Sequence, residues 1–214
     1  MSNLNKRILT SFPLLIIAIY AIYNNIILVL SLFIISSILI YEFSNMLRNI
    51  FKKKKINSFI FLNLFISYIC LFASQIYFFL GGEFENKQIV FLFILLICIF
   101  TDVGGYIFGN IIKGKKLTTI SPNKTYAGMF GSFICSLIIC TLFIIYFDFS
   151  INFIFFTLLI SLVSQVGDLF ISYLKRKANI KDTGNFLPGH GGLLDRLDGI
   201  IFAIPLGIKI FIFF

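Results

Sequence analysis

Charge and histidine are scarce in this chain. Only 13% of its 214 residues are charged, and His190 is the single histidine. So little charge cannot clothe a soluble domain of this size in polar surface. One histidine also argues against a zinc site. The four cysteines (Cys70, Cys98, Cys135, Cys140) show no C-x-x-C spacing and fall in apolar runs, so they are expected as small buried hydrophobes. The short alternating segments of a β-barrel are missing. No internal repeat, low-complexity tail or soluble domain is visible.

What the chain has instead is long apolar sequence. Hydrophobic residues make up 59% of it, and the mean hydropathy is +1.00. Apolar runs cover 8–23, 26–45, 57–80, 88–109, 126–147, 151–174 and 194–214. Crossing a hydrocarbon core of about 30 Å takes roughly 20 helical residues. The pattern predicts an all-α integral membrane protein with about seven transmembrane helices. These form one polytopic domain, with amino-terminal spans over 1–90 and a catalytic half over 91–214. Lys6 and Arg7 precede the first run, but no A-x-A site follows, so that run is read as an uncleaved span.

The net charge of +9 does not indicate nucleic acid, because the cations lie in the loops between apolar runs. With the amino terminus inside, the loops at 46–57, 110–125 and 175–193 are cytoplasmic. That side then holds 16 of the 18 cations, as the positive-inside rule requires. The expected setting is the inner, cytoplasmic membrane, with the chemistry facing the cytoplasm. The expected partners are phosphate-bearing substrates and membrane lipids.

The stretch from Ser164 to Gly199 gathers four of the nine acids, five of the cations and His190. Asp168, like Asp102 upstream, lies inside an apolar run, where an ionised carboxylate is costly unless it is paired or bound to metal. Both acids are expected roughly 10 Å from the cytoplasmic ends of their spans, which suggests a shared polar cavity. Gln165, Asp168, Ser172 and Lys175 fall on one helical face that leads out to Arg176 and Lys177. Asp195 and Asp198 are one turn apart at the start of the last run. With Asp168 they offer hard oxygen ligands suited to Mg²⁺.

Before them, Pro188-Gly189-His190-Gly191-Gly192 lets backbone N–H groups approach an anion closely. An ordinary turn would not need His190. Ser121-Pro122-Asn123-Lys124-Thr125 suits a second phosphate contact, and reads equally well as a capped helix entrance. Gly104, Gly105, Gly109, Gly128 and Gly131 permit close helix packing or ligand approach. Carboxylates, cations and a glycine loop at one membrane boundary suit phosphoryl or nucleotidyl transfer.

The run S-x-x-K-R-x4-K-D-x-G-x3-P-G-H-G-G-x2-D-R-x-D, from Ser172 to Asp198, closely resembles the signature of the phosphatidate cytidylyltransferase (CDP-diacylglycerol synthase) family. Q-x-G-D from Gln165, T-D-x-x-x-Y-x-x-G from Thr101 and S-P-N-K-T from Ser121 are similar to that family as well. The likeness covers about the carboxyl-terminal half, while the first 90 residues match only in being hydrophobic. It implies transfer of a cytidylyl group from CTP to phosphatidic acid, giving CDP-diacylglycerol and pyrophosphate with Mg²⁺, and allows K⁺ beside it.

By resemblance, Asp168 and Asp195 hold the metal centre with Asp198 close by. Lys175, Arg176, Lys181, His190 and Arg196 contact phosphates, as do Ser121, Lys124 and Thr125, with Gly191 and Gly192 lining the substrate. The resemblance also implies a homodimer. Two departures stand out: many members carry an acid where this chain has Ala127, and many are longer.

Two rival readings remain open. One is a CTP-dependent transferase or kinase acting on another lipid, such as a polyprenol. The other is a transporter using Asp102 and Asp168 for cation coupling, which leaves the glycine loop and its cations unexplained. A CDP-alcohol phosphotransferase would space its acids D-x3-D, whereas Asp195 and Asp198 are D-x2-D.

Overall fold

The computed structural model describes residues 18–52, 54–184, 186 and 191–213. Most of the first apolar run, with Lys6 and Arg7, lies outside the described residues, so the reading of an uncleaved first span does too. The described chain is helical. Its seven named helices are α1 (Asn25–Ile50), α2 (Lys55–Gly81), α3 (Lys87–Ile112), α4 (Tyr126–Phe147), α5 (Phe153–Lys177), α6 (Leu194–Leu197) and α7 (Ile200–Phe213). No strand occurs among the described residues, and Lys116 and Thr125 form an isolated bridge.

Helices α1 to α5 are 22 to 27 residues long and apolar enough to cross a membrane. The chain is therefore a multi-pass membrane protein. Apolar side chains such as Ile26, Phe33, Phe59, Phe130 and Phe155 stay exposed on them, which is expected when the solvent is hydrocarbon.

Helix boundaries follow local chemistry. The Asn24 side chain accepts from the N–H groups of Ile26 and Ile27 at the start of α1, which satisfies donors that have no partner inside the helix. Thr125 does the same for α4 through the N–H of Gly128, at 3.1 Å.

The last apolar run differs from expectation. It is broken at Asp198-Gly199 into a four-residue helix, α6, and a 14-residue helix, α7. At 1.5 Å per residue α7 is about 21 Å long, short of a full crossing. Cys98 and Cys140 are buried as expected, but Cys70 is exposed on α2. It turns outward among apolar neighbours, where a thiol needs no partner.

The chain divides into two compact units. The first comprises residues 1–88 and 174–197. Here α1 packs on α2, with Phe43 and Phe65 stacked at a ring separation of 3.8 Å, and α1 also touches α6. The second comprises 89–173 and 198–214 and is held by small residues. A Cβ added to Gly128 would lie 2.7 Å from the carbonyl of Gly105, and one on Gly131 would strike the Phe108 side chain. Hence α3 and α4 approach almost backbone to backbone. Ser132 donates to the carbonyl of Thr101 at 2.7 Å, and Thr101 to Ser161 at 2.9 Å, so hydroxyls join α3, α4 and α5. Gly167 on α5 lies against Phe202 and the carbonyl of Asp198, and Gly207 on α7 faces Ile94 and Ile160.

Candidate active site: two carboxylate–lysine pairs

In the first unit the site is built around Asp195. Helix α5 ends at Lys177, and Asn179 turns left-handed (φ 55°) so that the N–H of Ile180 closes on the carbonyl of Lys175 at 3.1 Å. The chain then turns back, and the short α6 presents Asp195. Lys175 donates to Asp195 Oδ1 at 2.8 Å. The Thr183 N–H (2.8 Å), the Thr183 hydroxyl (3.1 Å) and the Gly192 N–H (3.0 Å) reach Oδ2.

The two side chains of this pair are only 11% and 9% exposed. Burial pushes the Asp195 carboxyl up. The hydrogen bond from Lys175, the Thr183 N–H, the Lys175 charge and the Gly192 N–H outweigh it and hold the carboxyl below its ordinary value. The anion met by the Gly192 N–H is thus Asp195 itself. Gly191 takes the left-handed φ of 84° that glycine adopts without strain.

In the second unit the site is built around Asp168 on α5. After α3 the chain turns through Lys113 and Gly114, both at positive φ. A small hairpin follows, in which Leu117 N–H meets the Lys124 carbonyl at 2.8 Å and Lys124 N–H meets that of Ser121 at 3.0 Å. Its return arm leads into the Thr125 cap and directs the Lys124 ammonium onto Asp168 Oδ2. Ser172, one turn along α5, donates to Oδ1 at 3.2 Å. Gln165 turns to Ser161 at 3.4 Å. Asp198 is buried, and its Oδ1 accepts from the N–H of Gly199.

The structure therefore unites Lys175, Gly192 and Asp195 in one cluster and Lys124, Asp168 and Ser172 in another. Arg176, Lys181 and Arg196 are exposed, and Ser121 is half-buried in the hairpin. Arg176 reaches back toward the carbonyl of Ile180, at 3.5 Å. Asp102 is exposed on α3. Helices α3 and α5 run on to Ile112 and Lys177, so Asp102 and Asp168 sit about 15 Å from the helix ends. His190, with Pro188 and Gly189, lies outside the described residues. Among the described residues, no group of three or more histidine, cysteine or acidic side chains is close enough to hold a metal ion.

Two residues went unnoticed in the sequence. Glu42, on α1 and 1% exposed, accepts from the N–H of Leu193 (2.9 Å), the N–H of Leu194 (2.8 Å) and the hydroxyl of Thr183 (2.9 Å). A lone acid within an apolar run was the available signal for it. Thr183 carried no comparable signal.

A multi-pass helical membrane protein with paired carboxylates and lysines, and a glycine-bearing loop, is the class that fold and site define. Comparison with known proteins narrows it. The sequence pattern of the cytidylyltransferase family matches residues 5–214, and the chain belongs to that family. It is 45% identical over 119 residues to the phosphatidate cytidylyltransferase of Staphylococcus saprophyticus. It is 44% identical over the same length to those of Staphylococcus haemolyticus and Staphylococcus aureus strain COL. Each match covers 54% of this chain and 46% of the relative, so the chain spans about half the length of the curated relatives it matches.

Proposed function

We propose that this chain is a phosphatidate cytidylyltransferase, which converts CTP and phosphatidic acid to CDP-diacylglycerol and pyrophosphate. The observation that carries the reading is that Asp168 and Asp195, the two acids that the resemblance assigns to the metal centre, are each ion-paired with a lysine of a family motif. A phosphate arriving at either pair meets a cation already in place.

A phosphatidate phosphate oxygen attacks the α-phosphorus of CTP. The new P–O bond forms as the α–β phosphoanhydride bond breaks in line, and the electron pair leaves on pyrophosphate. No covalent enzyme intermediate is needed. Lys175 in the first unit and Lys124 in the second are each suited to neutralise charge on a substrate phosphate. Arg176, Lys181 and Arg196, exposed in the signature stretch, are suited to draw in the nucleotide triphosphate. His190, Ser121, Thr125 and Gly191 are further substrate contacts on the strength of the signature.

By resemblance the reaction uses Mg²⁺ and allows K⁺ beside it, and hard carboxylate oxygens are the ligands that suit Mg²⁺. Asp195 in the first unit, and Asp168 and Asp198 in the second, each offer such oxygens by resemblance, and Asp168 and Asp195 keep lone pairs beyond the bonds described. When bound, Mg²⁺ supplies charge neutralisation at the phosphates.

The positive-inside bias supports an amino terminus and a site facing the cytoplasm of a bacterial inner membrane. The homodimer follows from the family resemblance.

The test is transfer by the purified chain in detergent with phosphatidic acid, radiolabelled CTP and Mg²⁺, beside Asp195→Asn. Label moving into the lipid phase in the wild type alone, and abolished by EDTA, is the expected result. Label on a polyprenol instead, or cation flux without transfer, refutes the assignment.

A further inference from the structure

We propose that Glu42 is a positioning residue for the Asp195–Lys175 pair, so that the amino-terminal helix α1 takes part in the reaction through the loop it holds. The inference rests on the cytidylyltransferase reading and extends it to a helix that the signature does not include.

Glu42 is a charged group placed where charge is expensive. In an apolar helix a buried carboxylate persists when it is hydrogen-bonded, and here the donors come from the loop. Its Oε1 accepts from the N–H of Leu193, and its Oε2 accepts from the N–H of Leu194 and the Thr183 hydroxyl. One carboxylate thereby ties the outgoing stem of the loop, at Thr183, to the returning stem at Leu193 and Leu194.

Two glycines make room for it. A Cβ on Gly184 would lie 2.7 Å from Glu42 Oε1. One on Gly192 would lie 2.6 Å from Oε2 and would collide with the Thr183 hydroxyl. The loop's small residues are therefore shaped to the carboxylate of α1.

The link onward runs through Thr183. Its N–H is committed to Asp195 Oδ2, and its hydroxyl stands 2.9 Å from Glu42 and 3.1 Å from Asp195. The hydroxyl carries one proton, so it serves both carboxylates in turn while Glu42 fixes where the threonine sits. Gly192, adjacent to Leu193, donates the second N–H to Asp195. Two donors that hold Asp195 therefore lie on, or next to, residues that hold Glu42. Without Glu42 the stems are free to part, and the charged pair loses the placement that transition-state stabilisation requires.

The experiment uses the full chain in detergent. Glu42→Ala, Glu42→Gln and Thr183→Val are compared with wild type for kcat and KM in cytidylyl transfer, and for amide exchange at Leu193 and Leu194. Glu42→Ala is expected to lower kcat about 30-fold or more, with KM for CTP within about threefold, because misplacement weakens the transition state more than ground-state binding. Exchange at Leu193 and Leu194 rises about tenfold or more. Glu42→Gln keeps one oxygen to accept from Leu194 and Thr183, and recovers kcat to within about tenfold of wild type. Thr183→Val lowers kcat while leaving the Leu193 and Leu194 amides protected.

Wild-type kcat in Glu42→Ala overturns the proposal, as does a slow variant whose two amides stay protected. If Glu42→Ala does not fold, Glu42→Gln decides. Wild-type kcat with unchanged exchange in that variant refutes the role. A wild-type protein that makes no CDP-lipid refutes the assigned reaction instead, and the exchange measurement still reads whether Glu42 holds the loop.

Discussion

Replacing Lys175 with methionine removes the cation from Asp195 while keeping a side chain of similar length. The Lys175 ammonium and Asp195 Oδ1 are 2.8 Å apart, on side chains 11% and 9% exposed, so little water can take over the lost contact. A charge-assisted hydrogen bond contributes about 1.5–3 kcal/mol, and breaking a buried pair by removing one partner costs about 3–5 kcal/mol. Asp195 keeps the Thr183 and Gly192 donors, so the expected loss is near the lower end of that second range, about 3 kcal/mol at neutral pH.

The assay is reversible unfolding in mixed micelles, with EDTA present to exclude metal, for Lys175→Met, Asp195→Asn and the double variant. The cycle isolates the pair and should return about 2 kcal/mol of coupling. The pH dependence has a fixed sign. The native Asp195 carboxyl lies below its ordinary value of 3.8. Its contribution is therefore complete above that value and is lost as pH falls through the native one. The gap between wild type and Lys175→Met is accordingly widest at neutral pH and closes in acid. Coupling below about 0.5 kcal/mol, or a gap that persists when the carboxyl is protonated, would refute the reasoning.

Two further outcomes follow from the second unit. Lys124→Met is expected to cut cytidylyl transfer by about 100-fold or more, the scale of removing one preorganised charge from a transition state. Retained activity in a steady-state assay would count against a role for the Asp168 pair. Gly131→Leu, which drives a large side chain into Phe108, is expected to cost about 3 kcal/mol or more by overpacking, and thermal unfolding in detergent reads the loss.

Much of this was legible in the sequence. The fifth apolar run, 126–147, is the helix α4 with those ends, because Thr125 caps one end and Asp148 turns left-handed at the other. Lys175 and Asp195 were recognisable as chemistry because ionic groups at a lipid boundary are expensive. Other features were not legible, each for a physical reason. Hydropathy does not see the break at Asp198-Gly199. A Cβ at Gly199 would lie 2.7 Å from the Ser164 carbonyl, and that constraint comes from tertiary packing. The Lys124–Asp168 pair joins residues 44 apart, beyond any helical spacing. Glu42 lies in the half of the chain without a signature, and although an acid among apolar residues is as costly there as at Asp102 and Asp168, its backbone partners lie 151 and 152 residues away.

The reach of Glu42 also bears on how the chain is made. Its backbone partners lie 151 and 152 residues further along. At roughly 5–20 residues per second of synthesis, the carboxylate emerges about 8–30 s before Leu193 and Leu194 exist to receive it. During that interval α1 must shelter an unsatisfied acid, in water or against the insertion machinery. A ribosome that stops short of Leu193 leaves the acid stranded in an apolar helix. The acid's partners are thus made long after it, and α1 is satisfied only when the returning stem of the loop arrives.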